Sequence, residues 1–167
     1  AKGSVVVDKY LRTSDKDIYA VGDMIVFNHP VTQKPKPVFL AGPANKQGRI
    51  VADNINGIKS SYKGSLGTSI LKVFDLSVAS CGINEVLCKK NNIKYEKVIL
   101  SPQSHASYYP NAKVLTIKVI YEKDSLKLLG AQIIGYDGVD KRIDVLATAI
   151  KAKMKATELK ELDKQMD

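Results

Sequence analysis

Apolar and polar positions predict two unlike halves. Ser4-Val5-Val6-Val7-Asp8 is a short β-branched run, and Ile18-Tyr19-Ala20-Val21 is continuously apolar without a helical period. Both read as strands, the second as a buried one. Residues 27–37 contain Asn28-His29-Pro30 and Lys34-Pro35-Lys36-Pro37, which predict a loop with His29 at its surface. A helix is expected from Pro43 to about Asn56, with Pro43 in its first turn and Gly57 as its C-terminal cap. Ala44, Gly48, Val51, Ala52 and Ile55 would give it a narrow, small-residue packing face.

Residues 58–66 are polar and rich in glycine and serine, and mark a linker between two domains. Beyond it the pattern changes. Ile70 to Ala79 reads as one long strand, ended or bulged by Gly82. Asn84 caps a short helix from Glu85 to Lys90, closed by Asn91-Asn92. A strand follows from Tyr95 to Leu100, then a hairpin of Val114–Glu122 and Leu128–Gly135 around Lys123-Asp124-Ser125. Gly138 to Met154 carries one apolar stripe (Ile143, Leu146, Ala147, Ile150, Met154), and Thr157 starts a last helical turn. This order predicts an α+β domain over 67–162, an antiparallel sheet with helices on one face. Residues 163–167 form a tail. The opening strands lack the neighbours that a parallel sheet needs for burial, so residues 1–57 are expected to be the end of a larger α/β domain.

Composition narrows the function classes. Of 167 residues, 44% are hydrophobic and 26% charged, which implies a packed globular core. No apolar run approaches a membrane span and no signal peptide is present, so a cytoplasmic protein is expected. Cys81 and Cys88 fit neither a C-x-x-C motif nor a zinc site, and no metal is expected. Both read as unreactive thiols, Cys81 in the core and Cys88 at the surface or semi-buried. The net charge is +9, but the lysines are scattered and few aromatics interleave with them, which argues against nucleic acid.

Two positions carry candidate chemistry. Gly22-Asp23 after the Ile18–Val21 run is either an ordinary turn or a ligand-facing carboxylate suited to a sugar hydroxyl. The start of the Pro43 helix offers free amides and partial positive charge to an electron-rich group, or simply begins an amphipathic helix.

The stretch from Thr13 to Asp23 (T-S-D-K-D-I-Y-A-V-G-D) resembles the second flavin-binding motif of FAD-dependent pyridine nucleotide–disulfide oxidoreductases. L-A-G-P-A-N-K-Q-G-R, from Leu40 to Arg49, resembles the helix that those enzymes aim at the flavin ring. The resemblance implies that Asp23, beside Gly22, holds a ribityl hydroxyl of FAD. It places Phe39, Leu40 and Ala41 against the flavin and turns the amides near Pro43 and Ala44 towards it. Lys72 to Leu76, His105 to Pro110, and Leu129 to Gly135 running into Gly138 to Asp144 are similar to the dimerisation domain of the coenzyme A-disulfide reductase and NADH oxidase-like branch.

By that resemblance the parent enzyme is a homodimer, paired through 67–162, that takes electrons from NAD(P)H through FAD and a redox cysteine to a coenzyme A-type disulfide or polysulfide. An NADH oxidase or peroxidase of the same scaffold, or a stand-alone self-association module, remain open. Tyr108 or Tyr109 would reach the partner's disulfide site as a hydrogen-bond donor, or both would pack in the dimer interface. His105 could position that loop. Lys141 and Arg142 could meet coenzyme A phosphates, although a solvated helix start or an ion pair between subunits is the plainer reading. No G-x-G-x-x-G pyrophosphate loop and no nicotinamide-binding unit is present. The polypeptide is therefore expected to be a fragment, inactive by itself and unable to retain FAD. A further tyrosine of this branch would lie past Asp167.

Overall fold

The computed structural model describes residues 3–162, which divide between Ser65 and Leu66 into two compact units.

The first unit is a three-stranded sheet and one helix. β1 (Val5–Val6) pairs parallel with β2 (Ile25–Asn28), and β2 pairs antiparallel with β3 (Pro35–Lys36). The run Ile18–Val21 is not the expected strand. It makes a single bridge, Arg12 to Tyr19, and leaves Ile18 exposed while burying Ala20. The parallel partner of β1 begins only after Asp23. Residues 27–37 are likewise not a plain loop, because Phe27 and Asn28 pair with Lys36 and Pro35. His29 sits in that turn at 1% exposure rather than at the surface, its backbone bonded to Lys34 and Gln33.

Helix α1 (Ala41–Ile55) starts two residues before Pro43, whose missing N–H falls among the first-turn amides that lack helical acceptors. It closes as a Schellman motif: Gly57 at φ +79° donates to Asn54, and Ile58 donates to Asp53. Its packed face differs from the expected one. Gln47 and Ile50 are buried and Val51 and Asn54 half-buried, whereas Gly48, Ala52 and Ile55 are exposed. Leu11, Ala20, Ile25, Ile50 and Tyr62 form the core, with Phe27 edge-on to Tyr62 at 4.9 Å. The segment expected as a linker folds back onto this unit. Asn54 bonds both the N–H and the C=O of Ser60, and Tyr62 N–H donates to Lys9.

The second unit is an antiparallel sheet in the order β4-β5-β8-β7-β6. Its strands are β4 (Ser69–Val73), β5 (Leu76–Gly82), β6 (Tyr95–Leu100), β7 (Thr116–Glu122) and β8 (Leu128–Gly135). The α+β antiparallel class read from the sequence is what the chain has. The single long strand expected over 70–79 is instead a hairpin, turning at Phe74-Asp75 with Phe74 at φ +53°.

Helix α3 (Val139–Lys151) packs on β5 and β8. Val139, Ile143, Leu146 and Ile150 are buried, each stabilising by about 1.5–3 kcal/mol. Cys81, Ala131 and Val119 lie in register on one face of the sheet; Ser80, Gln132 and Lys118 lie on the other. On that second face the chain leaves β5 at Gly82 and crosses Gly130, where a Cβ would come within 2.0 Å of the Ile83 carbonyl.

Helix α2 (Glu85–Lys90) follows, its first turn capped by Asn84 Oδ1 accepting Leu87 N–H at 2.9 Å. Glu85 ties it to Tyr95, Lys97 and Lys118 on the neighbouring strands. The final turn, Ala156–Glu161, is a 3-10 helix. Glu158 holds its start by accepting the Lys155 N–H, so Thr157 is not the cap. The tail expected over 163–167 lies outside the described residues. Among those described, no helix is long and apolar enough to cross a membrane.

Candidate functional site

In the first unit, Gly22-Asp23-Met24 forms one turn of 3-10 helix between the extended Val21 and β2. Gly22 adopts φ +75°, a conformation glycine takes without steric cost. Its amide donates to Oε1 of Gln47 at 2.7 Å, and its Cα faces Ala44, whose Cβ lies 4.0 Å from where a glycine Cβ would stand. The turn is thereby fixed against the first two turns of α1. Asp23 and Met24 are exposed beside it. Asp23 thus stands at the amino end of β2, not the carboxyl end of a strand, and the rule that sheets place ligands at strand ends does not apply to it. What remains is a free carboxylate next to a helix start.

That helix start is open. Leu40 caps α1 in an extended conformation with no side-chain bond, and the first turn holds no acidic residue. Phe39 is 66% exposed, Ala41 is exposed, and Leu40, Pro43 and Ala44 are half-buried. The amides of Ala41 and Gly42, in the first turn, have no helical acceptor. The arrangement offers hydrogen-bond donors and partial positive charge from the helix, and a carboxylate acceptor from Asp23. Behind the turn, Gln47 also bonds Tyr62, whose hydroxyl burial pushes upwards in pKa. Lys36 lines a small cleft with Gly22, Gln47 and Tyr62, and burial pushes its pKa down. Gln47 was missed by the sequence reading. The stripe Gln47, Ile50, Val51 and Asn54 follows helical spacing, and a glutamine within it was the available signal.

In the second unit, the loop over residues 101–115 carries Tyr108 and Tyr109. Both are exposed, at 83% and 57%, with ring centroids 5.0 Å apart. Tyr109 stands edge-on to His105 at 6.4 Å. His105 Nε2 lies 3.2 Å from the Pro110 carbonyl, and its Nδ1 lies 3.1 Å from Ser104 Oγ. Arg142, on the first turn of α3, donates to the carbonyls of Ser104 at 2.7 Å and Gly138 at 3.0 Å. Two nitrogens of the guanidinium are thereby engaged by backbone carbonyls, one in this loop and one at the start of α3.

Neither cysteine is placed for chemistry. Cys81 is 4% exposed, and burial pushes its thiol up to about 12. Cys88 is fully buried, deeper than the surface or semi-buried position expected, and burial raises it as well. Among the described residues, no group of three His, Cys, Asp or Glu side chains could hold a metal.

Residues 68–162 match the dimerisation domain of the pyridine nucleotide-disulphide oxidoreductases. The chain is 37% identical to the coenzyme A disulfide reductase of Staphylococcus epidermidis over 97% of its own length and 37% of that protein's. It superposes with a TM-score of 0.97 on a NAD-dependent persulfide reductase from A. fulgidus, at 42% identity, covering 99% of this chain and 31% of that one. It superposes equally well (TM-score 0.97) on the reduced CoADR-RHD of Bacillus anthracis, at 50% identity, covering 100% of this chain and 30% of that one. The chain thus spans about a third of the length of the proteins it matches.

Proposed function

Because the chain belongs to the pyridine nucleotide-disulphide oxidoreductases through its dimerisation domain, we propose that it is the carboxyl-terminal part of a homodimeric flavoprotein that uses NAD(P)H to reduce a coenzyme A-type disulfide or a persulfide. In this reading residues 3–57 complete an FAD site and residues 67–162 form the dimer surface. The observation that carries it is the pairing of Gly22 with Gln47, which sets the exposed Asp23 carboxylate beside the uncapped start of α1. Asp23 would accept a ribityl hydroxyl. The amides of Ala41 and Gly42, which lack a side-chain cap and any acidic neighbour in the first turn, would face the electron-rich edge of the ring. Phe39 and Leu40 would supply apolar contact, and Pro43 and Ala44 would shape the floor.

Bound FAD supplies the two-electron relay between nicotinamide and disulfide; the protein contributes binding, orientation and electrostatics. Tyr108 and Tyr109 would donate hydrogen bonds to sulfur as negative charge develops at the partner subunit's site. The disulfide or persulfide substrate is favoured by the names of the relatives at 37–50% identity. Self-association is supported by apolar side chains left in solvent on one hairpin: Ile70, Leu71, Val73 and Phe74.

The test is flavin content. In the full-length enzyme, Asp23→Ala should weaken FAD binding by about ten- to a hundredfold, as loss of a charge-assisted hydrogen bond of about 1.5–3 kcal/mol requires. Unchanged flavin affinity would remove Asp23 from the site.

A further inference from the structure

We propose that Arg142, Ser104 and His105 form a positioning relay that fixes the Tyr108–Tyr109 tip from helix α3. The proposal rests on the reading above only for what the tyrosines do; their placement is argued from the geometry of the chain itself.

A carbonyl oxygen can only accept, so the bond between His105 and Pro110 requires a proton on Nε2. In the neutral ring Nδ1 is then an acceptor, and it takes the Ser104 hydroxyl proton. Ser104 Oγ in turn accepts the Lys113 N–H at 3.2 Å, and Ser104 N–H donates to the Lys113 carbonyl at 2.8 Å. Every polar atom of the 5%-exposed Ser104 therefore has a partner, and its hydroxyl meets the Nδ1 lone pair that the Pro110 carbonyl, by holding the proton on Nε2, leaves on His105. The imidazole spans the tip from Ser104 to Pro110, with Tyr108 and Tyr109 between its two anchor points. Tyr109 N–H closes the same turn on Ala106.

Arg142 secures the base. Its planar fork takes the Ser104 carbonyl on one nitrogen and the Gly138 carbonyl on the other, which a lysine cannot reproduce. Gly138, at φ +68°, makes room for it: a Cβ there would lie 2.3 Å from Arg142 Nη1. The cap of α3, the guanidinium and the loop are thereby joined. Two exposed tyrosines on a 15-residue loop would otherwise sample many orientations, and ordering them in advance lowers the cost of engaging a substrate.

The test uses the full-length holoenzyme with fluorotyrosine at positions 108 and 109 and 15N-labelled histidine. His105→Leu should shift or broaden both fluorine lines. His105→Gln, whose amide can still donate to Pro110, should restore them. Ser104→Ala, which removes the donor to Nδ1 and leaves Pro110 on Nε2, should move the His105 Nδ1 shift and the fluorine lines, and Arg142→Lys should move the fluorine lines with the His105 Nε2 shift unchanged. Fluorine lines that stay put in both His105→Leu and Arg142→Lys would overturn the relay. So would a His105 Nδ1 shift that Ser104→Ala leaves unmoved.

Turnover of coenzyme A disulfide separates the two readings. Where the tyrosines act on substrate, His105→Leu lowers kcat/KM by about ten- to a hundredfold at unchanged flavin content. Displaced fluorine lines with unaltered turnover would leave the relay standing and remove the tyrosines from the proposed reaction.

Discussion

The backbone amide of Gly22 donates to the side-chain oxygen of Gln47 at 2.7 Å, across 25 residues of sequence, and Gln47 is 4% exposed. This bond joins the aspartate turn to the flank of α1. Replacing Gln47 with Leu keeps the volume but strips a partner from two groups, the Gly22 N–H and the Tyr62 hydroxyl. Such unpaired groups cost about 1–3 kcal/mol each. Chemical denaturation should therefore show a loss of at least about 1 kcal/mol, and flavin affinity of the full-length enzyme should fall with it. A Gln47→Leu protein of full stability and full flavin content would mean that the turn holds itself.

Two glycines in the second unit tolerate no side chain. A Cβ on Gly82 would sit 2.3 Å from the Leu129 carbonyl at φ +72°, and one on Gly130 would sit 2.0 Å from that of Ile83. Both contacts are with backbone, so neither can be relieved by a rotamer change. Gly82→Ala and Gly130→Ala should each cost about 3 kcal/mol or more, or prevent folding. Gly48→Ala is the control: it lies within α1 with open space around it and should stabilise the chain by about 0.5–1 kcal/mol. Equal effects at all three positions would contradict the crossing of the chain at Gly130.

Glu85 is held at about 2 by Lys118 first, then by Lys97 and the Tyr95 hydroxyl. A depressed carboxylate contributes stability that is complete above its ordinary value of 4.5 and lost as pH falls through its folded one. Wild-type stability should drop between about pH 4.5 and 2, and Glu85→Gln should flatten that slope while leaving α2 less firmly anchored at neutral pH. Urea titrations at several pH values across that window provide the measurement. Parallel curves for the two proteins would show that the ion pairs persist in the unfolded chain or never form.

The thiols supply a further check. With Cys81 pushed to about 12 and Cys88 raised by burial, neither should react with Ellman's reagent at pH 8 while the chain is folded, and both should react in denaturant. Rapid labelling of either in the native state would reopen the question of a redox thiol in this segment.

What could be read from the sequence was what is decided locally. Asn84 as a cap, the hairpin of β7 and β8, and Ile143, Leu146 and Ile150 on the stripe of α3 rest on signals within a few residues and stand as expected, although the helix ends at Lys151, before Met154, and buries Ala149 rather than Ala147. The errors have tertiary causes. Ile18–Val21 is apolar enough for a strand, but the backbone that pairs with β1 lies at Ile25-Val26, and register is not written in the run itself. His29 is flanked by turn residues, yet the turn folds inwards. Gln47 carries no local sign of burial, because its two partners come from residues 22 and 62. Around the tyrosines, the motif pointed to the loop, while Ser104 and the guanidinium of Arg142, 38 residues away, emerged only from the structure.

Phe74 links the errors to function. A turn without glycine or asparagine gave no sign of itself, because phenylalanine at φ +53° is costly, by roughly 1 kcal/mol or more. The side chain is 93% exposed and so gains nothing in this chain to offset that cost. A strained, solvent-facing aromatic ring at the tip of an apolar hairpin makes sense if it is buried elsewhere, and self-association is the reading proposed for this domain. Phe74→Gly then has two opposite expected effects. Folding stability measured at dilute concentration should rise or stay level, because glycine adopts positive φ freely. The dimer dissociation constant, measured by sedimentation equilibrium on the full-length enzyme, should increase by about tenfold or more, as for an aromatic interface anchor. An unchanged dimer constant would take the hairpin tip out of the interface, and a fall in dilute stability would show that Phe74 packs within its own chain.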